Sequence, residues 1–292
     1  MVCRSLLRER PKELYVNKMK ESTIKVNGKI FDNQRYMKYH YLRFKKTLKV
    51  LQELGSKKVM ELGGHPWAMT SMLVDEPNLN ICATVSAEEV TFWPDEIPIT
   101  KKKYEIQTAK GNINSFTNYS ANLERSRFTI EEQPDTVLAC EIIEHLVRAP
   151  HVMLLNMNDW LPVGGKVILT TPNGAQFSNP FRTTSPIPNY RCHLYSRHQY
   201  LFTLDTLCDL VKLCGFKILK AGYWDVYPRK GKLKIYDVLG GVPSSYFKAK
   251  FKKTLFIIAE KIEDKEFIED TPLAYERMGN WEYIKSDILK TA

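Results

Sequence analysis

Residues 134–173 read PDTVLACEIIEHLVRAPHVMLLNMNDWLPVGGKVILTTPN. The apolar run Thr136 to Cys140 follows a Pro-Asp pair and gives way to acid: Glu141, then Glu144 and His145. A stretch with apolar residues at Val152, Leu155 and Trp160 has helical spacing. Pro162-Val163-Gly164-Gly165 makes a turn, and a second apolar run, Lys166 to Thr170, stops at Thr171-Pro172-Asn173. Strand, helix and strand at this spacing predict a βαβ unit in a parallel sheet. In an open α/β sheet the ligand crevice lies outside the carboxyl ends of the strands. Glu141, Glu144 and His145 follow one such end, and Asn173 follows the next.

The sequence on either side extends the pattern. Met37, Tyr41, Phe44, Leu48 and Leu51 recur at spacings of four and three, which predicts a helix with one apolar stripe ending at Gly55. Arg35, Lys38, Arg43, Lys45, Lys46 and Lys49 fill its other positions. Lys58 to Leu62 reads as the first strand of the domain, running into the turn Gly63-Gly64-His65-Pro66-Trp67. Asn80 to Val85 reads as the next strand, Thr203 as the cap of a helix stopped by Gly215, and Phe216 to Trp224 and Leu255 to Lys261 as the last two strands. The non-periodic segment between Asn173 and Phe202 is long for a compact domain, which marks it as functional, and it carries Arg197 and His198.

Charge is distributed unevenly. The net charge is +10, and residues 1–50 hold fourteen lysines and arginines against four acids, so the remainder is neutral. The expected organisation is a basic N-terminal arm at 1–34 with a short hairpin near Asn27-Gly28, a domain at 35–261 with an insertion at 225–254, and a tail at 262–292. No apolar run approaches the ~18 residues of a membrane span, and the N-terminus is too charged for a signal-peptide core. A soluble, cytoplasmic protein is expected. The six cysteines form no C-x-x-C pair, which argues against zinc or a disulfide framework.

The segment E-x-x-E-H-L … L-x-x-G-G-x-x-x-x-T-T-P-N, as it stands at Glu141 to Asn173, resembles that of class I S-adenosylmethionine-dependent methyltransferases. The subset it is most similar to serves sugars and cell-surface polysaccharides, with ubiquinone-type O-methyltransferases as cousins. Glu61 to Thr70 is similar to that subset's E-L-G-x-x-P-aromatic-x-x-T, with Trp67 as the aromatic, and Tyr195 to Thr203 to its Y-x-R-H … T run. The resemblance spans roughly residues 35–261. It implies a Rossmann-like, seven-stranded, mostly parallel sheet with an antiparallel last strand and helices on both faces.

It implies S-adenosylmethionine as cofactor, held by Glu61 and Gly63 with Gly64 and Trp67 shaping the turn, and by Asn112 and Asn114 near the adenine ring. Glu88 and Glu89 stand late for the usual ribose-binding acid. The implied reaction is O-methylation of a sugar hydroxyl in a surface glycan or its nucleotide- or lipid-linked precursor. His145 is the expected general base, as a histidine titrates near neutral pH, with Glu141 and Glu144 beside it and Asn173, Arg197 and His198 on the substrate side. Two alternatives stand. Glu141, Glu144, His145 and His198 suit a divalent metal, as in small-RNA 2′-O-methyltransferases, and the basic arm suits RNA or an anionic membrane surface. The altered glycine turn suits a non-catalytic domain that binds a cofactor or partner.

Overall fold

The computed structural model describes residues 23–86, 99–124, 127–146, 149–175, 198, 200–224 and 252–266. Arg197, Glu88, Glu89, the arm before residue 23, nearly all of the 225–254 insertion and the tail beyond residue 266 lie outside them.

The βαβ unit of residues 134–173 forms as its pattern predicts. Strand β7 (Thr136–Cys140) and strand β8 (Lys166–Pro172) pair in parallel, and helix α3 (Pro150–Trp160) connects them. Both strands are apolar on both faces because helices cover both. Val137, Ala139, Val167 and Leu169 pack on one side with Met153, Leu154 and Met157 of α3 and with Leu207 and Val211 of helix α4 (Leu204–Leu213). Leu138 and Ile168 point to the other side. There they meet a cluster containing Phe44, Leu48 and Leu51 of helix α1 (Gln34–Leu54) and Met69 and Leu73 of helix α2 (Ala68–Val74). Each buried Val, Leu, Ile, Met or Phe among these contributes roughly 1.5–3 kcal/mol of hydrophobic burial.

The remaining strands are β1 (Thr23–Val26), β2 (Lys29–Asp32), β3 (Lys58–Leu62), β4 (Asn80–Val85), β5 (Thr100–Gln107), β6 (Ile113–Ser120), β9 (Phe216–Trp224) and β10 (Thr254–Lys261). Their order in the sheet is β2-β1-β5-β6-β4-β3-β7-β8-β10-β9. The expected seven-stranded, mostly parallel sheet is therefore corrected to a ten-stranded mixed sheet. Only β6-β4, β4-β3, β3-β7 and β7-β8 are parallel.

The three extra strands come from two places. The Asn27-Gly28 hairpin pairs its β1 with β5, and β5 pairs antiparallel with β6. In β5, exposed Lys101 and Lys103 precede buried Tyr104 and Ile106, a half-buried pattern that the lysines obscure in sequence. At the other edge, β10 lies antiparallel between β8 and β9. Helix α1 ends where its sequence predicts, with Gly55 left-handed at φ 67° and its N–H donated to Gln52 O. Among the described residues no helix is long and apolar enough to cross a membrane.

Candidate active site

Strands β3, β4, β6 and β7 all run in one direction, so their carboxyl ends open on one side of the sheet. A cavity of about 250 Å³ lies there, lined by Gly63, His65, Val85, Ser86, Ala121, Asn122, Leu123, Glu124, Ile142, His145 and Leu146. Gly63, at φ 71°, turns the chain away from β3 while its N–H donates to Val85 O at 2.7 Å. The left-handed backbone favours glycine here, and a Cβ at this position would meet Ile142 Cδ1, so that side chain would have to shift. Gly64 serves differently: it lies against the Trp67 ring, and Trp67 is wholly buried in the core at the start of α2. Trp67 thus shapes the turn from beneath.

Glu61 is also beneath the turn, and its carboxylate accepts a hydrogen bond from Thr70 Oγ1 at 2.6 Å. Burial pushes its pKa up to about 8, against the opposing pull of Thr70 and Arg43. Arg43, 2% exposed, comes from the middle of α1 and ion-pairs with Glu141 at 3.4 Å. Its place off the helix's apolar stripe suggests a solvent-facing residue. Instead it shares a line with buried Thr47 and Val50, at spacings of four and three, and turns inward. Glu141 is itself left-handed at φ 59°, and its N–H is fixed by Thr170 O at 2.8 Å.

Asn112 and Asn114 are not brought to the cavity. They stand at the start of β6, the opposite end from the cavity, where Asn112 donates to Asp75 at 2.9 Å and Asn114 lies 3.5 Å from Asn80. Ser86 and Asn122 line the cavity instead. Ser86 Oγ donates to Asn118 Oδ1 at 2.9 Å, which ties the end of β4 to β6. Sequence reasoning missed both; the signal was their place as early polar residues beyond the ends of β4 and β6.

A second group adjoins the cavity. The 3-10 turn Ile143–His145 buries Glu144 to 1% exposure and leaves His145 half exposed. Glu144 Oε2 accepts from Thr171 Oγ1 at 3.0 Å, while Oε1 lies 3.9 Å from His145 Nε2. Burial pushes the Glu144 carboxyl up to about 7. His198 stands edge-on to His145, with ring centroids 4.8 Å apart. The neighbouring Tyr200 N–H donates to Glu144 O at 3.2 Å, which fastens this segment to the turn. One ligand atom each from Glu144, His145 and His198 falls within 4.8 Å of the others. Glu141 does not join the group, because its carboxylate faces Arg43. Asn173 is buried and holds the chain together: its Nδ2 donates to Lys252 O and its Oδ1 accepts from Ala175 N.

The Methyltransferase domain family matches residues 34–221, the larger part of the chain. The chain belongs to the class I S-adenosylmethionine-dependent methyltransferases. The non-catalytic alternative gives way to an enzyme. The chain is similar to three solved structures, of which the first reaches a TM-score of 0.50. A methyltransferase from Clostridium acetobutylicum is 8% identical, with 77% of this chain and 92% of that one covered at a TM-score of 0.50. The N-methyltransferase NodS from Bradyrhizobium japonicum, in complex with S-adenosyl-L-homocysteine, is 12% identical over 86% and 98% of the two chains, at 0.46. The small RNA methyltransferase HEN1 is 16% identical over 78% of this chain and 26% of that one, at 0.48. At these identities the likeness is one of fold. No curated protein matches the chain.

The cofactor of this methyltransferase is S-adenosylmethionine, and the cavity suits it. Val85, Leu123, Ile142 and Leu146 supply apolar walls for a flat ring, and Ser86, Asn122 and Glu124 supply hydroxyl, amide and carboxylate groups. Gly63 leaves the lip without a side chain.

Proposed function

We propose that this methyltransferase acts on a sugar hydroxyl, in a surface glycan or in its nucleotide- or lipid-linked precursor. The observation that carries the reading is the Glu144–His145–His198 group beside the cavity. When bound, the cofactor supplies an electrophilic methyl group on a sulfonium sulfur. An acceptor oxygen must be held in line with that methyl and must lose its proton as the new bond forms. His145, half exposed at the cavity, takes the proton. Glu144, with a carboxyl near neutrality and an oxygen 3.9 Å from His145 Nε2, steadies the charged imidazole. Ile142 and Leu146 keep water from the reacting atoms. The sugar class rests on the resemblance of Glu61 to Thr70 and Tyr195 to Thr203 to the polysaccharide-type subset.

The same group favours a second reading. A carboxylate and two imidazoles within 4.8 Å suit a single divalent ion. Glu144, His145 and His198 would hold it, and it would act as a Lewis acid on the acceptor oxygen. The acceptor is then an RNA ribose 2′-hydroxyl.

The deciding experiment is radiolabelled methyl transfer to nucleotide-linked sugars, lipid-linked glycan precursors and small RNA, with and without chelator. Chelator-insensitive labelling of a glycan precursor supports the first reading. Labelling of RNA that chelation abolishes and manganese restores replaces it with the second.

A further inference from the structure

Helix α1 has two unlike sides. Its inner side buries Phe44, Leu48 and Leu51 against the sheet and sends Arg43 to Glu141 at the active site. Its outer side exposes Arg35, Lys38, Lys45, Lys46 and Lys49, and no acid occurs in the helix before Glu53. At 1.5 Å per residue the five cations run over about 20 Å. Arg35 and Lys38 are three apart, Lys46 and Lys49 three, and Lys45 and Lys49 four, so like charges are neighbours along the stripe. Such pairs weaken a free helix, and mixed charges would keep it as soluble. The rest of the chain beyond residue 50 is in fact balanced in charge. Exposed Tyr39 sits beside the stripe's first cations.

The geometry points to a docking surface for an anionic lipid bilayer on the outer face of α1. All five cations are exposed along one face of the helix. Four of its five cations are lysines, point charges on flexible stems that suit a diffuse negative surface better than bidentate phosphate recognition. Tyrosine, apolar in body and polar at its tip, is suited to the headgroup layer. The stripe is also tied to the site. Asn33, which precedes the helix, donates to Pro66 O at 2.9 Å in the cofactor turn, and Phe31 packs edge-on against His65 at the cavity. A helix is about 10–12 Å across, so docking by the outer face sets the sheet beneath α1 about one helix diameter from the lipid surface. This deepens, and for its purpose rests on, the reading of a lipid-linked glycan precursor as acceptor. Docking itself needs no acceptor, so the two can fail separately.

The test is co-sedimentation of the full chain with phosphatidylcholine vesicles, with and without phosphatidylglycerol. It is repeated with the triple variant K38E/K45E/K49E and with K38Q/K45Q/K49Q. Circular dichroism and cofactor affinity report on folding, and none of the three lysines touches the site. Binding to the anionic vesicles alone, lost in about 0.5 M salt and weakened at least about tenfold in both variants, is the expected result. Absence of binding to anionic vesicles overturns the proposal, as does equal binding by wild type and both variants, which would place the contact elsewhere. Binding to single-stranded poly-uridine in place of vesicles, abolished by the same substitutions, overturns it in favour of RNA.

Discussion

Arg43 Nη1 lies 3.4 Å from Glu141 Oε1, with both side chains nearly buried, and so one helix outside the βαβ unit fixes the carboxylate that ends its first strand. The same guanidinium acts on Glu61. One buried cation thus serves two acids at the ends of adjacent strands β3 and β7.

Removing that cation leaves buried carboxylates without it. Arg43→Met should destabilise the protein by about 3–5 kcal/mol, read from urea denaturation. Arg43→Lys should recover part of the loss. If Arg43→Met is as stable as wild type, the pair has no structural weight.

Glu61 makes apo stability depend on pH in a defined sense. Its folded pKa, about 8, stands above the ordinary 4.5, so between these values the unfolded chain gives up a proton that the folded chain keeps. Stability is therefore highest below pH 4.5 as far as this group is concerned, and it falls as pH rises toward 8. Glu61→Gln should flatten that fall, raising apo stability at pH 8 relative to pH 5 by a few kcal/mol, on the order of a three-unit shift. Thermal melts at the two pH values measure it; an unchanged difference would contradict the assignment.

Gly63→Ala combines two effects. The left-handed backbone adds roughly 1–2 kcal/mol of strain, and the new methyl would meet Ile142 Cδ1 and push that side chain aside. Ile142 lines the cavity. Cofactor affinity, measured by calorimetry, should weaken about tenfold or more, equivalent to 1.4 kcal/mol or more. Retention of wild-type affinity would show that the lip is not in contact with the cofactor.

His198→Ala separates the two readings of the titratable group. Under the metal reading it should lower manganese affinity at least about tenfold, read by electron paramagnetic resonance of the ion. Under the base reading the wild-type protein binds manganese no better than the variant, and turnover resists chelation.

The βαβ unit, the Gly55 end of α1 and the Thr203 cap of α4 were legible because each is a local matter. Period, turn glycine and cap act within a few residues, and Thr203 Oγ1 does accept from Thr206 N at 3.3 Å. The turn glycine Gly63 was legible for the same reason. The edge of the sheet was not. Strand β5 reads as a lysine run, and only antiparallel pairing with β6 and the hairpin makes it a strand.

The placement of Asn112 and Asn114 turned on a boundary. Strand β6 begins at Ile113, so both residues fall at its amino end and the cavity opens some eight residues later. Arg43 could be assigned a side only once α1 was packed, since a residue at the margin of an apolar stripe can face either way. The sequence by itself determined the strand–helix–strand path of residues 134–173 and the turn at Gly63, because those depend on neighbours along the chain. The tertiary structure alone decided that Glu141 faces Arg43 while Glu144 and His145 face His198. Those partners lie roughly 50 to 100 residues away along the chain, and only the packing of a helix and a returning loop against the strand ends brings them together.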